Sequence, residues 1–342
     1  MMCIQIAMRV LGMHLLLSFN MPRSNSIMKQ EIPVKDIDPL KKMTVNDLIQ
    51  SFHNGGGFSA KKVSDGVAIL EKMMQDTKCV RFLSFPACIC STGTRGVIAA
   101  LLKKKLFDVV ITTAGTLDHD LARIWADYYH GSFTADDTLL HKKGINRLGN
   151  IFIPNECYGT ILEEKMQPIL NSLCQDQEKW STKELIWEFG KQLQDEPKKE
   201  ESILYWAWKH KIPLFVPGIT DGAFGSQLWM YYQQHRKFTI DLFQDEQDLS
   251  NIIFDAEASG AFIIGGGISK HHTIWWNQFK DGLDYTVYIT TAVEYDGSLS
   301  GAQTREAISW GKIKELSDNI TIEGDATVLM PLMVSALFER LK

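Results

Sequence analysis

The chain has 342 residues, 45% hydrophobic and 23% charged, a composition that excludes disordered, collagen-like and disulfide-scaffold classes and allows one large α/β domain or two smaller ones. Lys and Arg number 36 against 41 Asp and Glu, a net charge of −5, so no basic excess points to nucleic acid. The six cysteines (Cys3, Cys79, Cys88, Cys90, Cys157 and Cys174) include no C-x-x-C pair, and reduced thiols with no metal site are expected.

In chain order, Val10–Leu17 is apolar but interrupted by His14 and too short to span a bilayer. Residues 1–20 read as an extension upstream of a start at Met21, and the protein as cytoplasmic with no membrane partner. Residues 21–43 carry Pro22, Pro33 and Pro39 and read as an extended arm, leaving 44–342 as a single domain. Thr44-Val45-Asn46-Asp47 predicts a capped helix ended by Gly55-Gly56-Gly57, and Ser59 a cap for a second helix with Val63, Val67, Leu70, Met73 and Met74 on its apolar face. The pair reads as an N-terminal helical cap.

From Cys79 onward, apolar runs at Val80–Phe85, Phe107–Ile111, Ile212–Val216, Phe238–Leu242, Ala261–Ile264 and Tyr285–Ile289 alternate with helical patterns. Unbroken apolar strands separated by helices predict an α/β fold, a Rossmann-like parallel sheet covered on both faces. Cys88 and Cys90 are expected on one face of a strand, and the charged run at 195–201 as a surface loop within the domain.

Ligands of such sheets sit at the carboxyl ends of the strands. Four of these ends carry small and polar residues: Ser91-Thr92-Gly93-Thr94-Arg95-Gly96, Thr112-Thr113-Ala114-Gly115-Thr116, Gly265-Gly266-Gly267, and Thr290-Thr291-Ala292 followed by Asp296-Gly297. Free amides at helix starts favour phosphate, and missing Cβ atoms admit a cofactor to the backbone. None is the G-x-G-x-x-G fingerprint, and each alone would serve as a plain turn; together they read as a nucleotide-binding α/β enzyme.

Near the C-terminus, Glu306 and Trp310 share a helix face at i, i+4, and Gly311 then breaks the helix before Lys312. A carboxylate and an indole suit an alkylammonium, and a lysine beside them forms an imine once its amine is neutral. A surface lysine after a helix is the plainer alternative for this spacing alone.

These residues recur in runs that resemble deoxyhypusine synthase over about residues 40–340: Thr113-Ala114-Gly115, Gly144-Ile145-Asn146-Arg147-Leu148-Gly149-Asn150, Pro154-Asn155-Glu156, Thr220-Asp221-Gly222, Gly265-Gly266-Gly267-Ile268-Ser269-Lys270-His271-His272, Asp296-Gly297-Ser298 and Ser309-Trp310-Gly311-Lys312-Ile313. The resemblance implies an NAD-dependent transferase that oxidises spermidine, releases 1,3-diaminopropane, and passes the 4-aminobutyl group through Lys312 to a lysine of the hypusine-containing translation initiation factor. It implies His271 as acid/base against the polyamine, with Glu306 and Trp310 as further polyamine contacts. It places Ser91, Thr113, Ala114, Gly115, Asp221, Gly266, Gly267, Thr291, Ala292, Gly297, Ser300, Asp325 and Ala326 around NAD. It also implies a homotetramer whose active sites are shared across a dimer interface.

The departures are Leu299 and Ser226 where the family pattern has aspartates expected at one end of the polyamine, His119 where an acid is usual, and Cys88 where an asparagine is usual. Two alternatives therefore stand beside the leading reading. One is homospermidine-type transfer to putrescine or another small amine, and the other an inactive regulatory paralogue.

Overall fold

The computed structural model describes residues 32–175 and 177–342, and the apolar segment Val10–Leu17, residues 1–20 read as an upstream extension, and Cys3 lie outside them. Residues Lys35–Lys342 form one unit. Helix α1 (Val45–Gly55) has the expected capping box, with the Thr44 side chain accepting from the Asp47 amide, and it ends at left-handed Gly56. Helix α2 (Phe58–Gln75) starts from Gly57 with no side-chain cap, so Ser59 does not cap it: the helix begins two residues earlier than that assignment required. Val63, Val67, Leu70 and Met73 are buried, and Met74 is half-buried.

Strand β1 (Cys79–Phe85), α3 (Thr94–Lys103), β2 (Val109–Thr112) and α4 (Gly115–Trp125) begin the alternating pattern. The chain then makes an antiparallel excursion of β3 (Tyr129–His130), α5 (Asp137–Lys142), β4 (Ile145–Leu148) and β5 (Ile151–Pro154). Helix α6 (Gly159–Leu173), β6 (Lys179–Trp180), α7 (Thr182–Gln192), α8 (Ile203–His210), β7 (Leu214–Phe215), α9 (Ala223–Gln234), β8 (Thr239–Ile240) and α10 (Leu242–Asp255) follow. The last third is β9 (Ala258–Ile264), α11 (Gly267–Gln278), β10 (Leu283–Thr290), α12 (Thr304–Ser309), β11 (Ile313–Glu323) and α13 (Ala326–Arg340).

The main sheet has the order β11-β10-β9-β1-β2-β7, all parallel. The chain runs outward from β1 through β2 to β7, then restarts at β9 on the other side, which makes the β1/β9 boundary the topological switch point. Its inner strands are buried on both faces. Leu83, Phe85, Phe262, Ile264, Val287 and Ile289 face one core, and Phe82, Ile111, Ala261, Ile263 and Tyr288 face the other. That double burial is why these strands read as unbroken apolar runs.

Two expectations are corrected here. The apolar run Phe238–Leu242 does not join the main sheet; only Thr239–Ile240 is extended, and it pairs with Lys179–Trp180 in a separate ladder. Phe238 instead packs into the core as a plug between α9 and the strand. Cys88 and Cys90 lie on the 3-10 turn Ala87–Ser91 that follows β1, where a spacing of two puts them on different sides, Cys88 exposed and Cys90 buried. Among the described residues no cysteine is disulfide-bonded and no helix is long and apolar enough to cross a membrane.

Candidate active site

Helix α12 ends at Ser309 with Trp310 as its cap, and Gly311 has φ +68°, a left-handed turn that an L side chain would resist. The turn reverses the chain so that Lys312 points back at the helix it has just left. Its side chain is only 7% exposed, while Nζ lies 5.1 Å from the centre of the Trp310 ring and 5.7 Å from that of Trp275. A buried amine between two indole faces is held by cation–π attraction and shielded from water. The surface-lysine alternative is therefore excluded.

Lys312 lies in a cavity of about 270 Å³ that is also lined by Lys270, His271, Trp275, Leu299, Glu306 and Trp310. Tyr288 forms part of its wall, and its buried hydroxyl has no hydrogen-bond partner. The His271 ring stacks on Trp275 at 5.6 Å between centroids. Burial first, and then the nearby Lys312, push its pKa below the ordinary histidine value, which favours a neutral ring able to take a proton. Glu306 supplies the carboxylate of the wall.

The sequence reading brought Lys312, His271, Glu306 and Trp310 together, and the structure does the same. It did not anticipate Lys270, Trp275 or Tyr288. The i, i+4 spacing of His271 and Trp275 was the one local signal, and Tyr288 enters only through the packing of α11 on β10.

Of the departures, Leu299 lines this cavity, but Ser226 does not. Ser226 sits exposed in the first turn of α9, its hydroxyl donating to the Gly222 carbonyl 3.1 Å away. Cys88 is not among the cavity's lining residues either.

His119 on α4 is buried against Tyr128 and Tyr158, with Nδ1 3.0 Å from the Tyr128 hydroxyl. Burial, assisted by Arg123, lowers its pKa to about 4. The folded value lies below the unfolded one of about 6.5, so the unfolded chain takes up the proton first and stability falls as pH drops from 6.5 towards 4. At pH 5 the loss is about 2 kcal/mol by linkage. Urea midpoints at pH 7 and pH 5 read this directly, and His119→Gln is expected to flatten the difference; an unchanged pH dependence in the variant would refute the assignment.

The residues assigned to a dinucleotide all fall beyond the carboxyl ends of the six parallel strands. Ser91 follows β1, where its hydroxyl donates to the Cys88 carbonyl at 2.7 Å. Thr113, Ala114 and Gly115 follow β2, and the Thr113 hydroxyl accepts from the Ala87 amide at 3.0 Å, tying the two strand ends together. Asp221 is exposed after β7, and Gly266 and Gly267 follow β9. Thr291, Ala292, Gly297 and Ser300 follow β10. Asp325 caps α13 after β11, accepting from the Thr327 amide at 2.8 Å, and Ala326 opens that helix.

A Cβ on Gly266 would fall 2.2 Å from Ser300 Oγ, so the glycine is what lets these two loops touch. Leu299, next in the chain, carries the contact on to the Lys312 cavity. The N-cap residues of α3, α4, α9 and α11 at these strand ends make no side-chain cap, but the Thr92 hydroxyl accepts from the Thr94 amide of α3 and the Asp118 carboxylate from the Ala223 and Phe224 amides of α9, at 2.9 and 2.6 Å, which leaves α4 and α11 without a side-chain cap. The start of α11 at Gly267, uncapped and with nothing for an added Cβ to meet, is open in the way a dinucleotide's phosphates need. The residues present fit such a group. Among the described residues no cluster of acids, histidines and cysteines is set to hold a metal ion.

Comparison with known proteins adds three findings. A family model, deoxyhypusine synthase, matches residues 47–337. A probable deoxyhypusine synthase of Picrophilus torridus is 56% identical over 311 residues, 91% of this chain and 98% of that protein, and one of Thermoplasma acidophilum is 52% identical over 303 residues, 89% and 96% respectively. Among solved structures, a putative deoxyhypusine synthase from Entamoeba histolytica matches with a TM-score of 0.60 at 23% identity, over 90% of this chain and 97% of that one, which shows a shared fold.

Proposed function

The chain belongs to the deoxyhypusine synthase family, whose members transfer an aminobutyl group from spermidine, and from that premise we propose that Lys312 is the amine that carries the group. The observation that bears most weight is a nearly buried lysine between two indoles, in one cavity with Glu306 and a histidine biased towards its neutral form.

Glu306 takes an ammonium of spermidine, and the faces of Trp275 and Trp310 carry the adjoining alkylammonium chain. The residues from Ser91 to Ala326 at the strand ends would hold NAD, which would supply the hydride acceptor for oxidation of the amine and the hydride for the final reduction. A ring nitrogen of His271 takes the proton that leaves the substrate nitrogen. Lys312 Nζ adds to the carbon of the resulting C=N bond, 1,3-diaminopropane departs as the free amine, and the four-carbon fragment stays on Nζ as an imine. Burial of Lys312 keeps water from hydrolysing that imine. The acceptor lysine displaces Nζ by the same addition and elimination.

The acceptor favoured is a lysine of the hypusine-containing initiation factor, and the assembly a homotetramer. Incubating the protein with spermidine, NAD and either the factor or putrescine separates the outcomes by mass. An aminobutyl adduct on the factor supports this reading, homospermidine supports the small-amine alternative, and neither product would support the inactive paralogue.

Leu299 removes a carboxylate from the cavity wall, at a cost of about 1.5–3 kcal/mol for a charge-assisted hydrogen bond. Leu299→Asp is therefore expected to lower the Kd for spermidine by about tenfold or more. A Kd that stays the same or rises in calorimetric titration would mean that the amine lies elsewhere.

A further inference from the structure

Two of the strand-end loops assigned to the dinucleotide are built in the same way, each folded over a cation that the transfer chemistry does not use. After β1, Arg123 in the last turn of α4 donates from one guanidinium nitrogen to the carbonyls of Cys90 and Thr92, at 2.8 and 2.6 Å, and lies 5.8 Å from the centre of the Tyr128 ring. After β10, Lys270 on α11 is 1% exposed, donates to the carbonyls of Leu299 and Ala302, both at 2.8 Å, and stands 4.1 Å from the centre of the Tyr288 ring. Among the described residues the hydrogen bonds of both cations go to main-chain carbonyls and none to a carboxylate. Two carbonyl dipoles and a ring face hold each positive charge in place.

In a trans peptide the carbonyl of one residue and the amide of the next point in opposite directions. Drawing the Thr92 carbonyl onto Arg123 therefore turns the Gly93 amide away from the core, and drawing the Leu299 carbonyl onto Lys270 does the same for the Ser300 amide. Among the described residues neither amide donates to a protein acceptor. Gly93 is exposed, with nothing for an added Cβ to meet, and Ser300 is half-buried against Gly266. Other carbonyls of the two loops are also taken up internally: that of Cys88 by the Ser91 hydroxyl, that of Ile89 by the Thr92 and Thr94 hydroxyls, and that of Ser300 by the Thr290 hydroxyl. Acceptors are used up inside each loop and donors are left outside, over a positive charge, which is the arrangement that receives an anion.

Resting on the NAD reading above, we propose that Arg123 and Lys270 are positioning residues for the cofactor: each pins a strand-end loop with its amides turned outward to receive the phosphates. Pinning as such is also an ordinary structural device. Lys280, just after α11, donates to the carbonyls of Phe254 and Ala256 in the same manner, at the amino end of β9 and away from the assigned loops. What sets Arg123 and Lys270 apart is which loops they hold, and Lys280 supplies the control.

The test is calorimetric titration of the full chain with NAD at pH 7, with a urea midpoint for every variant. Arg123→Met and Lys270→Met are each expected to raise the Kd for NAD by about tenfold or more, the loss of one pre-organised loop. Lys280→Met should stay within about twofold of the native Kd even where its urea midpoint falls as far as theirs. Arg123→Lys and Lys270→Arg, which keep the charge and the donors, should recover most of the affinity. Should a methionine variant fail to fold, the glutamine variant, which keeps two N–H donors without the charge, takes its place with an expected loss of about threefold or more. Native NAD affinity in a folded Arg123 or Lys270 variant, or an equal loss in Lys280→Met, overturns the positioning role and leaves the cofactor reading intact. A native chain that binds no NAD in the same titration overturns both.

Discussion

Replacing Lys312 with arginine is expected to abolish aminobutyl transfer, by about 10³-fold or more, because a guanidinium keeps the positive charge and the indole contacts but has no neutral nucleophilic state. Spermidine binding should survive within a few-fold, since Glu306 and the faces of Trp275 and Trp310 remain. Borohydride trapping with spermidine and NAD, read by mass spectrometry, should give a reduced aminobutyl adduct on Lys312 in the native chain and none in the variant. Turnover within tenfold of the native rate would show that the fragment never rests on this amine.

The second large effect concerns stability rather than chemistry. Asp120 on α4 is fully buried and caps α8 from outside, accepting from the Ser202 hydroxyl at 2.6 Å and from the Ile203 and Leu204 amides at 3.0 Å each. Beside it Arg95 is 2% exposed, 3.6 Å from the Asp120 carboxylate and 2.9 Å from that of Glu201. Removing one partner of a buried pair strands the other, so Asp120→Ala should cost about 3–5 kcal/mol. Asp120→Asn, which keeps an acceptor for the helix, should recover part of it. Urea midpoints of the three proteins test this; a loss below about 1 kcal/mol in the alanine variant would mean that Arg95 is solvated by other means.

The effect is expected to reach the proposed NAD site, because α3 and α4 begin at the ends of β1 and β2, where Ser91 and Thr113–Gly115 lie. Arg95 in the first turn of α3 and Asp120 in the middle of α4 join the helices through an ion pair. Loosening that pair is expected to raise the Kd for NAD as well as to lower stability, whereas Lys312→Arg should leave NAD binding in place.

How much of the molecule was legible in its residues depended on whether the signal was local. The inner strands were readable because burial on both faces demands a mostly apolar run, unbroken in Ala261–Ile264 and interrupted only by Arg81 and Ser84 in Val80–Phe85. Strand β11 was not read, because an edge strand is held from one side only and Lys314-Glu315-Leu316-Ser317-Asp318-Asn319 looks like a loop. Phe238–Leu242 misled in the opposite sense, since an apolar run records burial and not sheet membership.

Glu306, Trp310, Gly311 and Lys312 could be joined from the sequence alone, because one helical turn and one left-handed glycine place all of them. Lys270, Trp275, Tyr288 and Leu299 could not. They meet only when α11 lies across β10 and the 299–302 segment folds over both, contacts between residues up to 32 positions apart that no spacing encodes. Ser226 and Leu299 likewise look alike as missing acids, and only tertiary packing puts one in the cavity wall and the other outside it. The sequence by itself therefore determined the parallel α/β class, through short-range periodicity, and its resemblance to the family singled out Lys312 as the proposed reacting lysine. The charge balance of the pocket around that lysine was decided by the tertiary structure, because electrostatic environment is a property of neighbours in space.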